Sequence, residues 1–238
     1  MTNINEVIKQ FYKKWMNDSN FLTVLKESYQ EILAKLLSKD MDSISKQEMV
    51  KNELFKLFDI NDSEITVDNV SQIAIRSECH NRLDSGIDAY HRGVLWIITN
   101  KKWDILLSQR ASDKDLFPDY WEIGWGHCGL DNYIDALEDE LKDEVGLTWG
   151  TYRLKKLFKI QFEDEYEKQT AKVFQVTVED DFVANGNDGE VQQSKYFSVE
   201  EIKKLLETQK IDLLPDNIVV LSEFLGVEQE LEENIRFM

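Results

Sequence analysis

The chain has 238 residues, and 42% of them are apolar and 11% aromatic, which is enough to bury the core of one large domain or of a domain with an appendage. Its 28 Lys and Arg against 46 Asp and Glu give a net charge of −18, which predicts no nucleic acid partner and no anionic membrane partner. The sequence lacks an apolar run of membrane-spanning length and a signal-peptide pattern, and its two cysteines do not suggest a disulfide framework. We therefore expect a cytoplasmic protein.

The N-terminal part of the sequence has a helical pattern. Apolar residues recur every three or four positions over residues 4–58, and Ser45 with Glu48 has the spacing of a capping box for a helix that runs through Phe58. This pattern predicts a helical N-terminal appendage over residues 1–78, which covers apolar surface or dimerises.

The apolar period becomes strand-like after Arg92. The runs that predict strands are "VLWIIT", "DILLSQR", "WEI", "YRLKKLFKIQF", "AKVFQVTV" and "EVQQSKYF". Two later helices are predicted at residues 199–207 and 216–225. Strands and helices in this order predict an α/β or α+β sandwich over residues 79–228, followed by an acidic tail at 229–238.

An acidic helix is predicted after the glycine-punctuated loop "GWGHCGL". Six acids fall within residues 135–144, and Gly146 supplies a helix stop. Because each residue of an α-helix turns by about 100°, Glu140, Asp143 and Glu144 share one stripe of this helix. The opposite stripe is predicted to face the core and consists of Ile134, Leu137, Leu141 and Val145.

Three carboxylates on one stripe repel one another unless a cation lies among them. Oxygen ligands of this kind suit a hard divalent ion, so the stripe predicts a Mg²⁺ or Mn²⁺ site made of Glu140, Asp143 and Glu144. The alternative interpretation is a solvated acidic face, which Lys142 partly offsets.

The acidic helix and its flanks resemble the box of the Nudix (MutT-like) hydrolases, Gx5Ex7REUxEExGU, in which U is aliphatic. The end of the box corresponds to "DELKDEVGL", and its early Glu corresponds to Asp131. Upstream, "HRGVLWIITNKKWDILLSQRASDKDLFPDYWEIGWGH" is similar to the Nudix branch related to isopentenyl-diphosphate isomerase, and downstream "GEVQQSKYFSVEEIKKLL" is similar to the family's Glu-bearing strand and following helix. The resemblance covers residues 80–225 and implies a Nudix-like α/β/α sandwich with a mixed sheet.

The resemblance implies metal-dependent hydrolysis of a nucleoside diphosphate linked to another group X, or of a related organic diphosphate. Glu140, Asp143 and Glu144 would be the ligands of Mg²⁺ or Mn²⁺ and catalytic residues, and Glu190 a further ligand or a base. The residues implied to contact the small-molecule substrate are Arg110, Lys114, Gly126 and His127, the first two matching the family's RAxxK. A homodimer is also compatible with the family.

The box departs from the family pattern at several positions. Asp139 replaces the Arg that helps to orient the metal-binding acids, and Asp131 and Asp143 replace Glu. Only four residues separate Gly126 from Asp131, so the loop is one residue short. This degenerate box leaves open a different functional class, a Nudix-fold binding or regulatory module without turnover.

The isomerase relative suggests a third interpretation, double-bond isomerisation of an isoprenoid diphosphate. That enzyme has a Cys two residues before the box His, where this sequence has Trp125, and its paired acids have no obvious counterpart, although Glu163, Glu165 and Glu167 alternate in the following hairpin. The isomerase therefore ranks below the hydrolase.

Two pairs of adjacent residues, Cys79 with His80 and His127 with Cys128, contain metal-ligand side chains. We do not predict a zinc site from them, because adjacent residues seldom turn both side chains onto one ion and the sequence has no CxxC spacing. His91 is predicted to be a structural histidine.

Overall fold

The computed structural model describes residues 53–67, 70–113, 117–163, 167–185, 191–208, 212–226 and 235–237. The chain divides into two compact units, the first made of Met1–Arg92 with Asp164–Lys168 and the second of Gly93–Glu163 with Gln169–Met238. The predicted helices that precede residue 53 lie outside the described residues.

The described part of the first unit contains short strands where the sequence predicts the end of a helix. Strand β1 (Leu54–Lys56) pairs antiparallel with β4 (Ile73–Ile75), and β2 (Thr66–Val67) pairs with β3 (Val70–Ser71). The predicted helix through Phe58 is therefore wrong at its C-terminal end. A short apolar run fits the helical and the strand period equally well, and pairing with β4 decides between them.

Two short helices follow β4 in the first unit. They are α1 (Arg76–Cys79) and α2 (Arg82–Ser85). The side chains of Phe55, Ala74 and Cys79 form a small buried cluster between β1, β4 and α1.

An eight-stranded sheet forms the centre of the second unit, with the strand order β11-β6-β5-β10-β9-β12 and with β7 paired to β6 and β8 paired to β5. The strands are β5 (His91–Thr99), β6 (Ile105–Arg110), β7 (Trp121–Glu122), β8 (Gly124–His127), β9 (Arg153–Glu163), β10 (Lys168–Thr177), β11 (Val191–Phe197) and β12 (Ile235–Phe237). β7 and β8 therefore continue the sheet where the sequence predicts only the short "WEI" strand and a glycine loop. The last strand lies within the predicted acidic tail.

The sheet is mixed. The pairs β5–β6, β5–β8, β6–β7, β6–β11 and β9–β12 are antiparallel. β5 and β10 instead run in the same direction, because Gly93 near the start of β5 lies beside Gln169 near the start of β10, and Thr99 at the end of β5 lies beside Thr177 at the end of β10. A parallel pair at the centre requires a long crossover, which here contains the acidic helix.

Helices cover both faces of the sheet. Helix α3 (Tyr133–Glu140), followed by a π-helical turn (Leu141–Val145), packs on one face around Val94, Trp96 and Phe174. Helices α4 (Val199–Thr208) and α5 (Pro215–Leu225) pack on the other face around Leu95, Ile97 and Val173. These layers confirm the predicted α/β/α sandwich.

The core-facing stripe of the acidic helix is confirmed with one exception. Leu137, Leu141 and Val145 are buried, whereas Ile134 is 37% exposed. Ile134 lies in the first turn of the helix, two residues after the capping Asn132. No helix among the residues described is long and apolar enough to span a membrane.

Candidate functional site

The start of α3 is set by Asn132. Its side-chain oxygen accepts hydrogen bonds from the backbone N–H groups of Ile134, at 2.9 Å, and of Asp135, at 3.2 Å. These donors have no partner within the helix, so the cap stabilises the first turn and determines where the helix begins.

The acidic part of the helix is not a continuous α-helix. The α-helical bonding ends at Glu140, the π turn follows, and Gly146 ends it in the left-handed region at a φ of 77°. A π turn contains more residues than an α turn, so residues four apart come closer to the same direction while residues three apart diverge. In agreement, Glu140 and Glu144 are half-buried and Asp143 is exposed. Of the three acids predicted to share one stripe, Glu140 and Glu144 therefore lie on the half-buried side and Asp143 does not.

Glu140 packs directly against the backbone of β8. A Cβ atom added to Gly126 would lie 2.5 Å from the Glu140 Cδ and Oε1 atoms, so a larger residue fits here only if the Glu140 side chain moves. The glycine at position 126 thus makes room for the Glu140 carboxylate. The sequence instead predicts that Gly126 contacts the substrate. The contact between Gly126 and Glu140 orients one acid of the helix against a rigid strand.

Asp139, which stands where the family has Arg, is exposed on α3. Its charge is therefore solvated, whereas Glu140 next to it points toward β8. The departure from the family pattern therefore adds negative charge to the helix surface.

Arg110 is the last residue of β6 and forms an ion pair with β7. Its Nη1 donates to the Oε2 of Glu122 at 2.9 Å, and both side chains are largely buried, at 19% and 14% exposed. Antiparallel pairing of β6 with β7 holds the two side chains together. Lys114 and Glu190, which the sequence predicts to act with Arg110, lie outside the described residues.

His127 ends β8 and points away from α3. It is 7% exposed, and its ring is edge-on to that of Trp125, with the centroids 4.2 Å apart. Successive side chains of a strand point to opposite faces, so His127 faces the α5 side of the sheet while Gly126 faces the α3 side. The structure therefore brings Gly126 and Glu140 together and separates His127 from them.

A second group of chemically reactive side chains lies in the first unit, and the sequence does not predict it. His91 Nε2 is 2.8 Å from Glu167 Oε2, and His80 Nε2 is 3.3 Å from the same oxygen. The ligand atoms of His80, His91 and Glu167 lie within 4.8 Å of one another. His91 is 1% exposed and stacks on Phe55 at 4.7 Å.

This histidine–glutamate cluster offers two imidazole nitrogens and one carboxylate oxygen. That donor set suits a first-row transition metal. Burial raises the pKa of Glu167, but the hydrogen bond with His91 and the charges of His91, His80 and Arg76 outweigh it, so that the net shift is downward. The ionised carboxylate is the form that binds a metal.

Cys79, next to His80, does not belong to this cluster. Burial raises the pKa of its thiol to about 12, so it remains protonated at neutral pH. His80 finds its partners 11 and 87 residues further along the chain instead of next to it, which is why local spacing does not reveal the cluster. The only sequence signal was the position of Glu167 among the alternating acids of the β9–β10 hairpin.

Comparison with known proteins agrees with the family resemblance seen in the sequence. The NUDIX domain profile matches residues 89–216. Isopentenyl-diphosphate Delta-isomerase 1 of Photorhabdus laumondii is 26% identical over 144 residues, which cover 57% of this chain and 80% of that protein, and this likeness fits the isomerase-related branch.

Two solved structures resemble the fold. DR0079 from Deinococcus radiodurans superposes with a TM-score of 0.55 at 14% identity, covering 72% of this chain and 98% of that one. The MutT protein from Methanosarcina mazei gives a TM-score of 0.46 at 21% identity, covering 60% and 96%. Since the matched domain spans more than half of the sequence, the chain belongs to the Nudix family.

Proposed function

We propose that this protein hydrolyses a diphosphate bond in a nucleoside diphosphate linked to another group, or in a related organic diphosphate, with Mg²⁺ or Mn²⁺ as cofactor. The observation that carries the proposal is the seating of the Glu140 carboxylate against Gly126, with Glu144 on the same half-buried side of the π turn. One carboxylate held against a strand by packing, with a second on the same side of the turn, is an arrangement of oxygen ligands that suits a divalent cation.

Glu140 and Glu144 would hold the cation directly, and the exposed Asp143 would contact it through water. A divalent cation held by these residues would supply charge neutralisation for the diphosphate and would make a nearby water more acidic. Arg110 is proposed to contact phosphate oxygens of the substrate, and Lys114 and Glu190 keep the roles that the family resemblance implies. Asp139 contributes no ligand because it faces solvent.

The test is release of phosphate or pyrophosphate from a panel of nucleotide and isoprenoid diphosphates with Mg²⁺ or Mn²⁺. We expect Glu144→Gln to retain the fold and to lower the metal-dependent rate by about two orders of magnitude or more, since a ligand of the charge-stabilising cation is lost. Glu207→Gln, which makes the same change at an exposed position of α4, serves as the matched control and should keep the full rate.

An unchanged rate in Glu144→Gln would overturn the assignment of the site. No turnover across the whole panel, together with ligand binding in calorimetry, would favour the binding or regulatory module instead.

A second candidate function is isomerisation of a small isoprenoid diphosphate. It is favoured by the isomerase relative and by the histidine–glutamate cluster, which provides a second candidate metal site in the first unit. One residue argues against isomerisation: Trp125 stands where the isomerase has a Cys. At neutral pH an indole does not donate a proton to a carbon atom or accept one from it.

The same panel distinguishes the two functions, because isomerisation of isopentenyl diphosphate changes the position of the double bond without releasing phosphate. Formation of the isomer, its loss in His91→Ala and its persistence in Glu144→Gln would establish the second candidate. Phosphate release that persists in His91→Ala and is lost in Glu144→Gln would exclude isomerisation.

A further inference from the structure

Strands β9 and β10 carry two lysines at opposing positions. The strands are neighbours in the sheet and only residues 164–167 connect them, so they form an antiparallel hairpin, because a parallel pair needs a much longer connection. Gln161 Nε2 donates to Thr170 Oγ1 at 3.1 Å, which places these two side chains opposite each other. Two residues further from the turn on each strand, Lys159 and Lys172 are therefore opposed in the same way.

Both lysines lie on the sheet face that α3 covers. Side chains two apart along a strand point to the same face, so Lys172 shares the face of Phe174, which packs with Val94 under α3. The Lys172 Nζ atom is 3.8 Å from the centroid of the Tyr133 ring, in the first turn of α3. Lys159 and Lys172 are half-buried, so both retain access to solvent.

The lysines and the proposed metal ligands belong to one face of the sheet. Val94 pairs with Gly126, against which Glu140 packs, so Gly126 and Glu140 also lie on the α3 side. Tyr133 and Glu140 are seven residues apart on one side of α3, which is about 10 Å along the helix axis. One organic diphosphate can span this separation, so it can contact Lys172 while its other end lies near Glu140.

Opposed like charges are unfavourable in a sheet. Two lysines directly across from each other repel, whereas an apolar pair or a pair of opposite charges stabilises the strands. The cation–π contact with Tyr133 stabilises one ammonium group and leaves the repulsion between the two in place. A phosphate bound between the ammonium groups would remove the repulsion, and a local cationic pair would attract such an anion to a protein with a net charge of −18.

We propose that Lys159 and Lys172 form an anion-binding pair that holds phosphate oxygens of the diphosphate ligand and orients the ligand toward Glu140 and Glu144. The inference rests on the proposed function and adds to it a phosphate subsite on β9 and β10. The pair binds and orients the ligand and takes no part in proton transfer.

The test is calorimetry with methylenediphosphonate in MgCl₂, because the P–C–P link of this probe resists hydrolysis. We expect Lys159→Met and Lys172→Met each to weaken the affinity by about tenfold, since each variant loses a charge-assisted hydrogen bond and keeps an unbranched apolar side chain. Lys172→Arg keeps the charge and should bind within about threefold of the wild-type protein. Lys155→Met removes an exposed lysine of the same strand, so it is the matched control and should bind as the wild-type protein does.

Salt dependence and melting temperature separate ligand binding from a structural role. The affinity of the wild-type protein should fall as NaCl is added, and the double variant Lys159→Met/Lys172→Met should show a smaller fall, because fewer charge contacts remain to be screened. If the two lysines only neutralise acids of the protein itself, both single variants should melt at a lower temperature and bind the diphosphonate as the wild-type protein does.

Unchanged affinity in either single variant overturns the proposal, as does an absence of diphosphonate binding by the wild-type protein. This failure is distinguishable from failure of the proposed hydrolysis, which the phosphate-release panel measures separately. Lysine-dependent binding without turnover of any compound would support the pair and refute hydrolysis. Turnover together with lysine-independent binding would refute the pair alone.

Discussion

At the scale of single residues, the candidate site depends on the contact between a glycine and a carboxylate. Gly126 leaves the space that the Glu140 side chain occupies, and Glu140 in turn is the first acid before the π turn. A methyl group is enough to prevent this contact, because well-packed interiors do not have room for an extra atom.

Gly126→Ala should therefore displace the Glu140 carboxylate. We expect a loss of stability of about 1–3 kcal/mol from overpacking and a fall in the metal-dependent rate of about tenfold or more, measured by urea unfolding and by phosphate release. The double variant Gly126→Ala/Glu140→Asp shortens the acid, so it should recover most of the stability without recovering the rate. Independent, additive effects of the two changes would contradict the contact.

Glu167 provides a second prediction at this scale. The pKa of its carboxyl group is lowered below the ordinary value of 4.5, chiefly through His91, although burial acts in the opposite direction. The folded state therefore binds fewer protons than the unfolded state between the lowered pKa and pH 4.5. The stabilisation by Glu167 is fully present above that range and is lost as the pH falls through the pKa of the folded state.

Urea unfolding of Glu167→Gln and of the parent protein at several pH values, with a chelator present, measures this contribution. We expect the variant to be less stable by about 1–3 kcal/mol at pH 7, because His91 loses a charged partner, and the difference to shrink below pH 4.5. Glu207→Gln, which removes an exposed carboxylate, controls for the change in stability that loss of any one acidic side chain causes as the pH falls. A difference that stays constant with pH would contradict the pKa shift.

At the scale of elements, the acidic helix is held at both of its ends. Asn132 caps its start, and the end at Gly146 packs closely on the chain further along, since a Cβ atom there would lie 2.8 Å from the Asn185 carbonyl oxygen. Both ends are fixed, so the π turn between them presents Glu140 and Glu144 in one defined register.

Asn132→Ala removes the cap and should lower the free energy of unfolding by about 1 kcal/mol. Asn132→Asp keeps an acceptor oxygen at the same position and should restore most of it, with a small additional gain from a negative charge at the helix N-terminus. Equal stability of the alanine and aspartate variants in urea unfolding would show that the two hydrogen bonds at 2.9 and 3.2 Å do not stabilise the helix.

At the scale of the whole molecule, the net charge of −18 opposes compaction by self-repulsion. Monovalent salt relieves this repulsion through screening alone, whereas a bound divalent cation stabilises the folded state by mass action. The two effects can be separated at equal ionic strength.

We expect MgCl₂ to raise the melting temperature further than NaCl of the same ionic strength. The additional stabilisation should be about 2.7 kcal/mol when the free cation is at about 100 times its dissociation constant. The double variant Glu140→Gln/Glu144→Gln should respond equally to both salts in differential scanning calorimetry. An equal response of the wild-type protein would mean that no specific Mg²⁺ site exists.

The sequence by itself determined the features that depend on local periodicity and residue type. Strand and helix periods after Arg92 identified the sandwich, and the box residues identified the family. The box residues also predict Glu140 and Glu144 as metal ligands, and that assignment stays a prediction. These features are predictable because backbone geometry imposes a fixed period on each element.

Tertiary structure decided the features that depend on partners far apart in the chain. Pairing with β4 made a strand of the residues predicted to end a helix, and packing against β8 explained Gly126. Long-range contacts also assembled His80, His91 and Glu167. A sequence pattern carries no distance between residues separated by tens of positions, so only the folded chain brings these groups together.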